Sequence, residues 1–149
     1  MNRLGKLMML VGLTACTHLT TAAMAADKIS IGYLQTFEKG RLTISVLDQP
    51  AENLGLAGAE VGINDNNTTG RFMGQEFSLD DVKLAPDEDL MPALDRLYEQ
   101  GVRFFVLDVS ADNVLKAADR FNSKDVIIFN AGAKDDRLRN DDCRSNIIH

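Results

Sequence analysis

The stretch "GVRFFVLDVSADNVLKAADRFNSKDVIIFNAGA" (101–133) decides the fold. Its first part, "VRFFVLDV" (102–109), is almost continuously apolar, the pattern of a strand covered on both faces. "DVIIFNA" (125–131) reads as a second strand of the same kind. Between them Ser110 stands at a helix-capping position, and Val114, Ala118 and Phe121 fall on one helical face. Two buried strands joined by an amphipathic helix form a crossover unit, and such units build parallel sheets.

The same alternation extends outward. "PDEDLMPALDRLYEQG" (86–101) predicts a helix, with Asp87 or Asp89 as its cap, Pro92 in its first turn and Gly101 as its stop. Leu90, Leu94, Leu97 and Tyr98 form its inner face. "EFSLDDVKLA" (76–85) predicts a strand whose alternation slips: Phe77 and Leu79 share one phase, Val82 and Leu84 the other. A slip of that kind suggests a bulge or an edge position.

Further upstream, "AENLGLAGAEVGINDNN" (51–67) predicts a helix with Leu54, Ala57, Gly58 and Val61 facing inward. Each of its glycines weakens helix propensity by about 1 kcal/mol relative to alanine, so packing must hold it. Gly58 is the expected point of close approach, and "NDNNTTGRFMGQ" (64–75) the expected stop. The stretch from Gln35 to Pro50 contains "TISVL" (43–47), a short strand or part of a loop leading into the helix. "KISIGYL" (28–34) alternates Ile29, Ile31 and Tyr33 as a strand does, and "RSNIIH" (144–149) starts another. The order β-α-β-α-β-α-β-loop-β defines an α/β fold with a mainly parallel open sheet and helices on both faces.

The chain has 149 residues, 45% hydrophobic and 26% charged, which suits one globular domain. Its net charge of -6 argues against nucleic acid as a partner, since such proteins present a basic face. The N-terminus has the layout of an export signal. "MNRLGK" is basic, "LMMLVGLTAC" is an uncharged run of ten residues, and a small-residue stretch ends at Ala23-Met24-Ala25. Ten residues are too few to span a bilayer, which takes about 20. Residues 1–25 are therefore expected to be removed before Ala26, leaving 26–149 as an exported, periplasmic domain. "LTAC" (13–16) offers a second route, in which Cys16 becomes a lipidated first residue. On the plain-signal route the mature chain carries 14 basic and 22 acidic residues, a net of -8, and Cys143 as its one cysteine. No intramolecular disulfide can then form, and Cys143 is expected to be a buried small apolar group.

Enzyme signatures do not appear. "GYLQTFEKG" (32–40) follows the first strand in place of a glycine-rich phosphate loop, and there is no G-x-S-x-G elbow. His149 is the single histidine beyond the signal, so no nucleophile has a plausible histidine base, and no catalytic residue is expected. Cys143 and His149 are spaced as C-x5-H, too few ligands for a metal, and no cofactor is implied. The acidic runs at 80–81, 87–89, 135–136 and 141–142 fit solvated turns and helix starts. What remains is the carboxyl edge of the sheet, where open parallel sheets bind ligands. There stand Gln35, Asp108, Ser110, Asn130, Ala131 and Ala133. Ser110 heads a helix whose free N–H groups can hold an anion, or it is a structural cap alone; Asn130 can contact ligand or shape its own loop.

These segments carry a resemblance. The signal, "KISIGYL", the helix running into "NDNNTTGRFMGQEFSL", "LYEQGVRFFVLDVSADNVLKAADRF" and "DVIIFNAGAKDDRLR" together resemble the first lobe of a type 1 periplasmic binding protein. They are similar to the branched-chain amino-acid receptors of ABC importers. "GVRFFVLDVSAD" (101–112) and "DDCRSNIIH" (141–149) are similar to a subgroup associated with pyrroloquinoline-quinone-dependent alcohol oxidation. The resemblance implies ligand contacts at Ser110 and Asn130 to Ala133, a small organic ligand of the amino-acid, alcohol or carboxylate class, and permease subunits as partners. Ala133 stands where amino-acid-binding relatives often carry a hydroxyl residue. Family members have two such lobes closing on the ligand, so 26–149 is expected to be the first lobe of a longer receptor. A lobe by itself is expected to expose a sheet edge or an apolar surface.

Overall fold

The computed structural model describes residues 26–36 and 53–149. The expected signal (1–25) and most of the stretch read as loop or short strand lie outside the described residues. The described part runs β1 (Asp27–Thr36), α1 (Leu56–Met73), β2 (Gln75–Leu84), α2 (Met91–Glu99), β3 (Phe104–Asp108), α3 (Ala111–Arg120), β4 (Ile127–Asn130), a 3-10 turn (Asp136–Arg139) and β5 (Ile147–Ile148). The expected order of elements is thus observed. All strand pairs are parallel and the sheet order is β2-β1-β3-β4-β5.

Register sorts the side chains by face. Paired residues share a face, so Gly32, Leu34, Val82, Leu84, Phe105, Leu107 and Ile128 lie on one side. That side holds the core. Helices α2 and α3 cover it with Leu90, Leu94, Leu97, Val114, Ala117, Ala118 and Phe121, all buried as expected where the periodicity named them. Phe121 stacks on Phe105 with ring centroids 5.5 Å apart and meets Tyr98 at 5.3 Å. Gly32 makes room for this layer: a Cβ there would lie 2.9 Å from the Phe105 ring. The α2 signals hold in part: Pro92 lies in the first turn, while Leu90 and not an aspartate is the N-cap. Asp89 Oδ1 accepts from the Met91 amide at 3.1 Å, and Gly101 leaves the helix at φ 98°.

The opposite face is covered less. The helix α1 packs on β2 there, while Ile127, Phe129 and Ile148 on β4 and β5 stay exposed. The expectation that 102–109 and 125–131 are covered on both faces is therefore corrected. Phe105, Leu107 and Ile128 are buried, but Phe104 and Val106 are half-buried and Ile127 and Phe129 exposed. The residue types were right for a doubly covered strand, and the described chain supplies a layer for one side only.

Helix α1 departs most from expectation. It begins at Leu56 and runs through the Asn/Thr/Gly cluster to Met73, 18 residues in all, ending at Gly74 in the left-handed conformation. Leu54 and Val61, expected inside, are exposed, and Gly58 has open space around it. The inner stripe is Leu56, Ala59, Ile63, Asn67 and Gly70. Close approach occurs at Gly70, where a Cβ would lie 2.8 Å from the Gln75 carbonyl oxygen. Asn67, read as a turn former, is a strand mimic. Its Nδ2 donates to the Phe77 carbonyl at 2.8 Å and its Oδ1 accepts from the Phe77 amide at 2.7 Å.

The strand β2 is an edge strand, and its pairing with β1 runs unbroken from Gln75 to Leu84. The phase slip is therefore not a bulge. Phe77 and Leu79 face α1 on one side, and Val82 and Leu84 join the α2 core on the other. The strand passes from beneath one layer to beneath the next.

Candidate functional site

The chain leaves β1 for β2 on one side and reaches β3 on the other. The strand order therefore reverses between β1 and β3, and the carboxyl ends of those strands are where open parallel sheets hold ligands. Gln35 and Asp108 are register partners there, side by side on the α1 face. Tyr33 precedes Gln35 by two positions and shares its face.

Tyr33 is buried, and its hydroxyl donates to Asp108 Oδ2 across a long 3.5 Å. Burial raises the Tyr33 pKa above its usual value, the Asp108 charge and hydrogen bond add to that, and Asp81 contributes last. Two glycines fit around the pair. A Cβ on Gly132 would lie 2.2 Å from Asp108 Oδ1, and one on Gly55 would lie 2.4 Å from the Tyr33 hydroxyl. Gly55 also has φ 85°, a conformation other residues adopt at a cost. Gln35 is 7% exposed, and its Nε2 has no acceptor among the described residues.

The remaining expected site residues sort differently. Asn130 is on the α2–α3 face, level with Leu107. Its amide folds back on its own loop: Nδ2 donates to the Ala133 carbonyl at 2.7 Å and Oδ1 accepts from the Ala133 amide at 2.9 Å. Asn130 Nδ2 also meets His149 Nδ1 at 3.2 Å, and His149 Nε2 meets the Leu138 carbonyl at 3.2 Å. Of the two roles open to Asn130, loop shaping is the one seen. Ala131 is tied to β3 through its amide, which donates to the Leu107 carbonyl at 2.9 Å. Ser110 occupies the N-cap position of α3 in extended conformation, yet its side chain makes no capping bond and is exposed. The structure thus unites Gln35 and Asp108, joins Asn130 to Ala133, and places Ser110 at the adjoining helix start.

The segment after β4 is clamped to α3 by charge. Arg137 pairs with Asp112, Asp135 and Asp142, and Arg144 pairs with Asp119. These bonds lower the Asp112 and Asp119 pKa values, first through the hydrogen bonds from Arg137 and Arg144. Asn146 Nδ2 adds a bond to the Ala118 carbonyl at 3.0 Å. Cys143, expected buried, is exposed: it sits in this polar turn, away from the sheet. Among the described residues no three His, Cys, Asp or Glu side chains gather in a metal-holding group. A shallow groove of about 430 Å³ between α1 and the start of β2, lined by Asn64, Asn67, Arg71 and Glu76, lies at the other end of the strands and gathers no comparable buried polar group.

Sequence reasoning missed Tyr33 and Gly55 as site neighbours, and named Gly132 only within the "NAGA" loop (130–133). The period-two relation of Tyr33 to Gln35 was the available signal; the glycines acquire meaning only once the strand register is known. The chain matches no protein-family model and no curated protein.

Proposed function

We propose that this chain is a ligand-binding lobe of an exported solute receptor of the type 1 periplasmic binding class, a binding protein rather than an enzyme. It presents one wall of a pocket to a small organic ligand of the amino-acid, alcohol or carboxylate class. A second lobe supplies the other wall, and the closed receptor delivers its ligand to the permease subunits of an ABC importer. The observation that carries this reading is the pairing of Gln35 and Asp108 at the point where the strand order reverses, with the Gln35 amide nitrogen buried and lacking an acceptor among the described residues. Purely structural polar groups at that depth find partners. Sites of this kind bury about 70–90% of a ligand, so one wall binds weakly.

A thermal-shift panel tests it. Alcohols, their acids and branched-chain amino acids are each added to this chain and to a two-lobed receptor carrying the same "LDVSAD" and "NAGA" segments. A clear shift in the two-lobed receptor and little in this chain is expected. Absence of any shift in the two-lobed receptor across all three classes sinks the reading. Cell fractionation checks export: the chain should appear outside the cytoplasm, shortened by 25 residues or lipidated at Cys16.

Exposed Ile127, Phe129 and Ile148 favour a second reading, a single-domain exported interaction protein with no ligand of its own. It requires residues 26–149 to be monodisperse and to melt cooperatively alone.

A further inference from the structure

The Gln35–Asp108 pair makes two opposite demands. Gln35 Nε2 is a buried donor with no acceptor among the described residues, and a buried donor left unmade costs about 1–3 kcal/mol. Asp108 is an acceptor, half-buried, and no Lys, Arg or His pairs with it among the described residues. Tyr33 engages Asp108 Oδ2 at long range, leaving Oδ1 without a donor among the described residues. The two side chains stand at one register position on adjacent strands and project from the same face of the sheet.

Three head groups can be compared by what they donate and accept. An ammonium satisfies Asp108 but offers Gln35 no lone pair. A carboxylate satisfies Gln35 but brings a second negative charge against Asp108, a repulsion magnified by partial burial. A hydroxyl donates once and accepts, so it alone among the three meets both demands. We propose that this cluster is a hydroxyl site, in which Asp108 accepts the proton of a ligand alcohol and Gln35 Nε2 donates to its oxygen. The proposal rests on the receptor reading above and narrows its ligand to the alcohol class. Gly55 and Gly132 serve it by letting the chain close around Tyr33 and Asp108 without a Cβ in the way. Water has the same donor and acceptor capacity and is the competing occupant.

The test uses three ligands with one carbon skeleton: 2-methylpropan-1-ol, 2-methylpropan-1-amine and 2-methylpropanoate. Each is titrated into the full-length ¹⁵N-labelled chain while the side-chain amide signals of Gln35 are followed, identified by their loss in Gln35→Leu. The alcohol is expected to shift those signals in proportion to its concentration, as weak binding to one wall does, with the amine and acid shifting them about tenfold less. Asp108→Asn should weaken the alcohol response about tenfold while the backbone amide spectrum keeps its dispersion. If Gln35→Leu loses dispersion, Gln35→Glu identifies the same signals. An amine or acid response equal to the alcohol's overturns the proposal, as does an alcohol response unaffected by Asp108→Asn. So does a long-lived water contact at the Gln35 amide with no response to any of the three. These outcomes leave the receptor reading to its own test in the two-lobed receptor.

Discussion

Tyr33 ties stability to alkaline pH. Its folded-state pKa is raised, so the neutral phenol is favoured in the fold. The stabilisation is complete below the unfolded value of about 10 and is lost as pH rises through the higher folded value. Tyr33→Phe should therefore flatten the alkaline limb of a urea-midpoint profile, and leave stability at pH 7 within about 1 kcal/mol, since a 3.5 Å bond holds little. An unchanged alkaline limb would falsify the assignment. Gly132→Ala should behave otherwise: its Cβ would fall 2.2 Å from Asp108 Oδ1 and 3.0 Å from Asp108 Cα, so β3 or the loop must move. The expected cost is about 1–3 kcal/mol, read as a lowered urea midpoint. Gln35 and Asp108 were legible because strand ends can be read from apolar runs. Which of their neighbours share a face could not be read, because it depends on pairing register.

Elements were legible by kind and order, less so by bounds. The signals failed at α1, where Asn67 and Gly70 look like turn residues and are the helix's inward contacts to β2. Propensity gave way to a specific use: the Asn67 amide satisfies the outer edge of β2 at Phe77. Asn67→Ala should cost about 1–2 kcal/mol and speed hydrogen exchange at the Phe77 amide, with exchange in β4 unchanged relative to global stability. The clamp on the segment after β4 works through charge. The lowered Asp112 and Asp119 pKa values mean that their contribution is present above the ordinary carboxylate range and is lost as pH falls through the lowered values. Acidification should therefore loosen residues 134–144 before the core opens, and Arg137→Ala should produce that loosening at neutral pH. Hydrogen exchange across 134–144 at pH 3 and pH 7 separates this from global unfolding.

At the scale of the molecule the two faces of the sheet are unequal, and that inequality is what the apolar pattern concealed. Hydrophobicity along "DVIIF" (125–129) reads the same whether one layer or two cover it. In β4, Ile128 is fully buried against α3, while Ile127 and Phe129 are 38% and 37% exposed on the other face. Adjacent residues of one strand should then respond unequally. Ile128→Ala should cost about 2–5 kcal/mol through the cavity it leaves. The double change Ile127→Thr and Phe129→Ser should cost less per side chain, about 1–2 kcal/mol each, because part of each is already in water. The same double change removes most of an apolar patch continued by Ile148, so light scattering at rising concentration should show less association than wild type. A loss per side chain at Ile127 and Phe129 equal to that at Ile128 would mean that this face is covered in solution. The sheet would then be closed by chain other than the described residues, as a lobe within a larger receptor would be.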